Sequence, residues 1–174
     1  MDLRDIKEFL IDSFKVIILI VVVLFLMVFV FSVTQVVGNS MNPTLKDGEV
    51  LLLNKFIYRF SDVKRGDIIS LDYDDTKYLI KRVIGLPGDT INIKNNKVYI
   101  NNQVYEEDYL PDYEYEDFYL SSLGYNTIPE DMYFVIGDNR EDSLDSRKIG
   151  LINKDDINGK ISFRFWPLNK LKFY

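Results

Sequence analysis

The chain has 174 residues, with 21 basic and 27 acidic side chains and neither histidine nor cysteine. Without an imidazole or a thiol there can be no Ser-His-Asp triad, cysteine nucleophile, disulfide or ordinary zinc or copper site. The net charge of −6 disfavours nucleic acid as a partner, because phosphate binding needs clustered lysine and arginine. We therefore expect no nucleic acid, no metal and no other cofactor, and any serine chemistry needs a base other than histidine.

The first predicted element is an apolar run over residues 16–31, which Ser32 and Val33 extend to roughly the length of a membrane-spanning helix. A buried core helix that is apolar on every face would need a larger soluble body than a chain of this size usually supplies. A cleaved signal peptide would need small residues in an Ala-x-Ala-like site, and the chain has no alanine. We interpret residues 16–33 as a retained transmembrane anchor, with these two alternatives open.

The flanks of the run predict its orientation. Arg4, Lys7 and Lys15 precede it, whereas Lys46 is the first basic residue that follows. Lysine and arginine near a span favour the cytoplasmic side of the membrane. We therefore expect a single-pass protein of the cell membrane, with the lipid bilayer as a partner, residues 1–15 in the cytoplasm and the remainder after the anchor outside.

Residues 34–174 have the size of one domain and a pattern typical of β-structure. Pro87-Gly88 suits a type II turn, and Asn95-Asn96 suits a two-residue hairpin. Seven short segments are rich in β-branched or aromatic residues, and turn signals bound most of them. They are residues 49–53, 67–71, 78–84, 91–93, 98–100, 132–136 and 160–165.

An acidic, tyrosine-rich segment, EEDYLPDYEYED, interrupts this pattern at residues 106–117. A calcium-binding loop would space its oxygen ligands around a glycine turn, and this segment contains no glycine. We interpret residues 106–118 as a solvated loop or insertion in the β domain.

Lysine is the side chain that could replace histidine as a base. Its amine titrates near ~10.4, so it must be buried before it can be neutral near physiological pH. Most lysines of this chain lie in polar contexts, but strand alternation places Lys81 between Leu79 and Val83 on one face. A surface lysine on an edge strand would give the same pattern, and both interpretations stay open at this point.

Three separated blocks carry a resemblance to a known family. They are SMNPTL at residues 40–45, KRVIGLPGD at residues 81–89 and GDNREDSLDSR at residues 137–147, in this order behind the apolar run. Together they resemble the bacterial type I signal peptidases, which use a Ser-Lys dyad. The resemblance covers nearly the whole chain, and residues 106–130 match least.

The resemblance implies a mainly β fold, with an N-terminal transmembrane helix, an antiparallel β catalytic domain and a smaller β extension. It also implies a membrane-anchored serine endopeptidase that removes signal peptides from exported preproteins through an acyl-enzyme. The substrate would bind as an added extended strand, with small residues at positions −1 and −3 of the cleavage site.

The same resemblance assigns the site residues. It makes Ser40 the nucleophile and Lys81 the general base. Ser143 matches the residue whose hydroxyl helps to orient the lysine amine, as expected for the third group of an activated nucleophile. Asp145 and Arg147 match a structural ion pair near the site.

Gly38, Met41, Arg82 and Asp138 are further supporting positions. Some family members have a serine where this chain has Gly38, and its hydroxyl joins the nucleophile's backbone N–H in the oxyanion hole. A backbone N–H or a water would have to replace that donor here.

Three other functions fit part of the sequence. A relative of the self-cleaving SOS repressors would share a Ser-Lys dyad, but it should carry a DNA-binding domain and its own Ala-Gly or Cys-Gly bond. This chain has neither alanine nor cysteine. A specialised peptidase of a pilus or conjugation system fits the same three blocks. A non-catalytic, membrane-tethered β module leaves those blocks unexplained.

Overall fold

The computed structural model of the chain describes residues 2–74, 77–111 and 116–174. A long N-terminal helix precedes two antiparallel β-sheets. The predicted acidic loop falls partly outside this description, because its residues 112–115 are not among the described residues. The expectation of a mainly antiparallel β fold behind an N-terminal apolar helix is confirmed.

The helix α1 covers Leu3–Phe29, and Asp2 and Asp5 form a capping box at its start. Its apolar side chains are exposed to the surroundings on every face, and in the described part of the chain it is the one helix long and apolar enough to cross a membrane. Such a helix needs an apolar medium around it.

The helix ends four residues before Val33, where the sequence placed the end of the anchor. The strand β1, Phe31–Gln35, begins almost at once and pairs with Val50–Asn54 along its whole length. Residues 31–33 are thus strand rather than helix, because apolar β-branched and aromatic residues satisfy a strand as well as a helix.

Twelve strands follow the helix in the described residues. They are β1 (Phe31–Gln35), β2 (Val50–Asn54), β3 (Ile68–Asp74), β4 (Lys77–Gly85), β5 (Ile91–Lys94), β6 (Lys97–Ile100), β7 (Gln103–Tyr105), β8 (Phe118–Tyr119), β9 (Met132–Ile136), β10 (Ile152–Asn153), β11 (Ile157–Trp166) and β12 (Lys172–Phe173). A short helix, α2, covers Ser146–Ile149, and 3-10 turns cover Ile57–Arg59, Leu120–Leu123, Lys154–Asp156 and Leu168–Lys170.

The larger sheet has the strand order β1-β2-β11-β3-β4-β9-β10, and β12 pairs with β11. The smaller sheet has the order β7-β6-β5-β8. β4 lies inside the larger sheet between β3 and β9, so it carries Lys81 into the centre of the fold. The loop that contains Ser40 connects β1 and β2 at one edge of that sheet.

The apolar core has three clusters, and two of them support the region around the serine. One packs Val36, Met41, Leu45 and their neighbours beneath the β1–β2 loop. A second lies around β3, β4 and β9. The third joins the smaller sheet to the larger one through Ile84, Phe134 and Ile136.

The two ends of the acidic segment that the structure describes differ from a fully solvated loop. Glu106 and Asp108 are exposed as the sequence predicted, but Glu107 and Tyr109 are only partly exposed. Phe118, at the far end, is buried in the core between the sheets. Partners that are distant in sequence cover these side chains, and a local composition pattern contains no information about them.

Candidate active site

Ser40 lies in the loop between β1 and β2. The two arms of the loop are joined at its base, where the Val36 N–H donates to the Glu49 carbonyl at 2.9 Å and the Gly48 N–H donates to the Val36 carbonyl at 3.0 Å. Met41, next to the serine, is 1% exposed and packs into the cluster below. The serine is therefore held at the surface of the core rather than on a free loop.

Gly38 shapes the turn before the serine. Its φ of +84° lies in the left-handed region that L side chains rarely adopt. Its N–H donates to Asp47 Oδ1 at 2.7 Å, so that N–H already has a partner. The Ser40 N–H, by contrast, makes no hydrogen bond within the described residues. Only the latter is open to an incoming group.

Lys81 is buried on β4, with an exposed fraction of 1%. Its Nζ donates to Ser40 Oγ at 2.8 Å and to the Ile80 carbonyl at 2.9 Å. The alternative of a surface lysine on an edge strand is therefore wrong. The structure brings together, across 41 residues of sequence, the two side chains that the resemblance paired.

Burial lowers the pKa of Lys81 from 10.5 to about 8, and the nearby charges of Asp145 and Asp138 oppose this shift. At pH 7 about one such amine in ten is neutral, compared with roughly one in 3,000 at the ordinary value. The buried amine can therefore accept a proton at a pH where exposed lysines cannot.

The block at residues 137–147 packs against the backbone of the serine. The Asn139 N–H donates to the Ser40 carbonyl at 3.0 Å. A Cβ on Gly137 would lie 2.4 Å from that carbonyl oxygen and 2.2 Å from Ser143 Oγ, so only glycine allows this approach. The sequence analysis did not single out Gly137 or Asn139, although both stand in the GDN triplet that it quoted.

Ser143 lies beside this glycine, but not in the expected contact. Its hydroxyl is buried and makes no hydrogen bond of ordinary geometry within the described residues. The predicted bond to the Lys81 amine is absent, and that amine donates to Ser40 Oγ and the Ile80 carbonyl. The hydroxyl still lies close enough to Asp145 to help lower the pKa of that carboxyl.

Two buried ion pairs flank the lysine. Arg82 donates to both carboxylate oxygens of Asp138, at 2.8 and 2.7 Å, and Arg147 donates to both of Asp145, at 2.9 and 2.8 Å. Such two-point contacts fix the orientation of both partners. The four supporting residues thus form two ion pairs, and the carboxylate of each pair lies near enough to act on the charge of Lys81.

Asp145 also acts on the backbone of the block. Its Oδ2 accepts the Gly137 N–H at 3.0 Å. Burial alone would raise the pKa of Asp145, but the hydrogen bonds and charge of Arg147 outweigh burial and hold it below its usual range. The carboxylate therefore stays ionised and keeps its hold on the glycine.

A cavity of about 110 Å³ adjoins the serine. Residues 34–37 after the anchor line one side, and Tyr78, Leu79 and Ile80 of β4 line the other, with Ser40 and Lys81 at the end. β1 is the edge strand of its sheet, and this part of β4 has no partner on the side of β9. The cavity has room for a small side chain between two open strand edges. Among the described residues no three acidic side chains converge to hold a metal ion.

The family described as signal peptidase, peptidase S26, matches residues 10–166. Signal peptidase I P of Bacillus subtilis subsp. natto is 41% identical over 175 aligned positions, and the alignment covers 95% of this chain and 94% of that protein. Signal peptidase IB of Staphylococcus aureus MRSA252 is 39% identical over 158 residues, 83% of each chain. The crystal structure of a signal peptidase I from Enterococcus faecalis V583 superposes with a TM-score of 0.54 at 34% identity, covering 59% of this chain and 98% of that one.

An antiparallel β fold behind an apolar helix, with a serine hydroxyl against a buried lysine amine, defines a class of membrane-anchored peptidases that work without histidine. The similarity over almost the full length narrows the class further. The chain belongs to the signal peptidase family, peptidase S26, and is a type I signal peptidase. The family to which the three sequence blocks pointed is confirmed.

The lowered pKa of Lys81 predicts the pH dependence of peptide cleavage. A base must be neutral, so kcat/KM should rise with pH, with an ascending limb centred near the pKa of about 8. Initial rates on a short peptide between pH 5 and 10 measure this limb. The same limb is expected for Lys77→Ala, on the same strand but with a side chain that is 70% exposed. A limb centred near pH 4 to 5 would indicate a carboxylate base instead.

Proposed function

We propose that Ser40 and Lys81 together cleave signal peptides from secretory preproteins. The observation that carries the proposal is the 2.8 Å contact between Lys81 Nζ and Ser40 Oγ, made by an amine whose burial lowers its pKa. In the charged state the lysine donates along this contact. In the neutral state the same contact runs in reverse, and the serine O–H donates to the amine.

The reaction follows from this reversal. Ser40 Oγ attacks the scissile carbonyl while neutral Lys81 takes its proton, and a tetrahedral oxyanion forms. The oxyanion collapses when the Lys81 ammonium returns the proton to the leaving amine, which leaves an acyl-enzyme on Ser40. A water that gives its proton to Lys81 then attacks the ester carbonyl and forms a second tetrahedral intermediate. The bond from the carbonyl carbon to Ser40 Oγ breaks, the Lys81 ammonium returns the proton to that oxygen, and the acyl product leaves with a carboxyl end.

The oxyanion needs donors that are free in the resting enzyme. The Ser40 N–H qualifies because it has no hydrogen bond in the described residues. The Gly38 N–H is already bonded to Asp47, and Gly38 has no side chain to contribute. The Ser40 N–H is therefore the first oxyanion donor, and a water or a further backbone N–H supplies the second.

The substrate binds in extended form between the two open edges, β1 and the first half of β4. Backbone hydrogen bonds to a strand edge do not depend on the side chains of the peptide, which suits an enzyme with many substrates. The cavity of about 110 Å³ beside Ser40 then accepts the residue at −1, and its size favours small side chains. A small residue at −3 points to the same side of the strand.

The supporting residues fix the positions of the Ser40 and Lys81 side chains relative to each other. Met41 anchors the serine in the core, and Gly38 gives the turn its left-handed backbone. Asp145 and Arg147 hold the Gly137 amide, and Arg82 neutralises Asp138. The Ser143 hydroxyl becomes a hydrogen-bond partner of the lysine amine when Ser40 is acylated, because it makes no hydrogen bond of ordinary geometry that it would have to give up.

The protein crosses the membrane once, with residues 1–15 in the cytoplasm and the β domain outside. Arg4, Lys7 and Lys15 before the apolar run support this orientation. The lipid surface is also a partner of the β domain itself, through a segment at residues 54–61 that we name the membrane-side loop.

The membrane-side loop is tied to the end of α1. The Lys55 N–H donates to the Val30 carbonyl at 2.9 Å, and Lys55 Nζ donates to the Val28 carbonyl at 3.4 Å. Phe60 is 81% exposed on this loop, and the Arg59 guanidinium lies over the ring of Phe56. Aromatic and basic side chains at the height of a helix end suit the membrane interface.

The first test of the proposal is cleavage of a model secretory preprotein in detergent. Ser40→Ala should lose at least about 1,000-fold in kcat, and Lys81→Ala about 100- to 10,000-fold, because each removes one half of the dyad. Lys77→Ala serves as the matched lysine control and should cleave like wild type. Unchanged cleavage by either dyad variant would overturn the mechanism. If wild type left an ordinary preprotein intact, the specialised pilus or conjugation peptidase would be favoured.

A second test separates the role of Ser143 from packing. Ser143→Ala should lower kcat several-fold with little change in the free energy of unfolding, because the hydroxyl makes no hydrogen bond of ordinary geometry. Ser146→Ala is the control, since its buried hydroxyl accepts the Val135 N–H at 2.9 Å. That variant should lose about 1–3 kcal/mol of stability and keep its kcat. Unchanged kinetics in Ser143→Ala would remove Ser143 from the site.

A third test examines the membrane-side loop. The chain has no cysteine, so Phe60→Cys creates a single attachment point for a nitroxide label. In lipid nanodiscs this label should be more accessible to dissolved oxygen than to a water-soluble nickel complex. Val104→Cys, at a 40% exposed position of the smaller sheet, is the aqueous control. Equal accessibilities at the two positions would show that the loop does not touch the bilayer.

A further inference from the structure

The first residues of the acidic segment run from the smaller sheet to the block behind the serine. We name residues 106–110 the strap; they directly follow β7, which ends at Tyr105. We propose that Glu107 in the strap is a positioning residue for Ser40, acting through Arg140. This inference rests on the proposed function, because it concerns the geometry of the same dyad.

The strap holds a buried arginine. The Arg140 side chain is 0% exposed and that of Glu107 is 11% exposed. Both terminal nitrogens of the guanidinium donate to the Glu107 carboxylate, with Nη1 at 2.7 Å. A fork of this kind fixes the plane of the guanidinium as well as its place.

The fixed guanidinium in turn holds the backbone behind the nucleophile. Arg140 Nε donates to the Gly137 carbonyl at 3.1 Å. Gly137 lies against the Ser40 carbonyl, and the Asn139 N–H donates to that same carbonyl at 3.0 Å. We name residues 137–139 the GDN turn. The contacts then form a continuous series from Glu107 through Arg140 and the GDN turn to the main chain of Ser40.

Tyr109 adds a second contact from the same strap. Its hydroxyl donates to the Glu107 carboxylate, and its ring lies 3.9 Å from the centre of the Arg82 guanidinium, which pairs with Asp138. Burial, followed by the charge of Glu107, raises the pKa of Tyr109, so the hydroxyl stays protonated and remains a donor. The strap therefore contacts the GDN turn through two arginines, Arg140 through Glu107 and Arg82 through Tyr109.

Loss of the Glu107 charge would act on position rather than on the reacting groups. Without the Glu107 charge the buried guanidinium loses the two-point contact that fixes its plane, and its position shifts. The Nε contact to Gly137 moves with it, and the turn that holds the Ser40 carbonyl loosens. A displacement of about 1 Å between nucleophile and base is enough to lower a rate about 100-fold.

The competing interpretation is that the pair only stabilises the fold. The matched control is the ion pair of Arg65 with Asp89, at 2.9 Å and with side chains 26% and 10% exposed. Asp89 also receives the Leu86 N–H and the Asn101 side chain, at the turn after β4. Its loss should destabilise the domain without moving the GDN turn.

The experiment compares Glu107→Gln with Asp89→Asn in the full chain, in detergent. For Glu107→Gln we expect kcat on a short peptide to fall at least tenfold with KM within twofold. Amide hydrogen exchange of the peptide containing Asn139, followed by mass spectrometry, should become at least tenfold faster. Asp89→Asn should lower Tm comparably and change neither kcat nor this exchange.

Tyr109→Phe is a milder variant that removes one hydrogen bond to Glu107 and should lower kcat two- to threefold with little change in Tm. Wild-type kcat and wild-type exchange in folded Glu107→Gln, or equal losses in Asp89→Asn at matched Tm, would overturn the positioning role. Should Glu107→Gln fail to fold, unchanged kcat and exchange in Tyr109→Phe would overturn it. A Ser40→Ala control that cleaves like wild type would instead overturn the proposed function, while the exchange measurement still tests the strap.

Discussion

The structure depends on keeping one lysine amine out of water without giving it a full counter-charge. Lys81 is buried and its two hydrogen bonds go to a hydroxyl and a carbonyl, neither of which carries a charge. Two carboxylates lie near enough to stabilise the ammonium, but each is engaged by an arginine. Desolvation therefore prevails, and the pKa of the amine falls.

The two ion pairs explain how an amine with a lowered pKa can lie among so many charged residues. If Asp138 or Asp145 lacked its arginine, the nearby carboxylate would favour the charged lysine and raise the pKa of its amine. Each pair also fixes the position of a neighbouring segment. Asp145 accepts the Gly137 N–H, and Arg82 lies against the ring of Tyr109 in the strap. Charge balance and positioning are thus served by the same side chains.

The sheet order brings the three sequence blocks together. β4 and β9 are neighbours, with Arg82 opposite Ile136, so the block after β9 emerges beside Lys81. The β1–β2 loop presents Ser40 from the edge of the same sheet. Because β1 starts two residues after α1 ends, the strand that leads to Ser40 begins at the end of the apolar helix.

Local patterns in the sequence were sufficient for the apolar helix and the β class, because hydropathy and strand alternation are contained in neighbouring residues. The pairing of Ser40 with Lys81 came instead from the resemblance of three motif blocks to the signal peptidases. The end of the helix at Phe29 was decided by the pairing of β1 with β2, which competes with helix formation and depends on residues about 20 positions away. The unpaired Ser143 hydroxyl, the contact of Gly137 with Ser40 and the Glu107–Arg140 pair were likewise decided by the tertiary structure. Each depends on side chains brought together from distant strands, and local sequence carries no record of such distances.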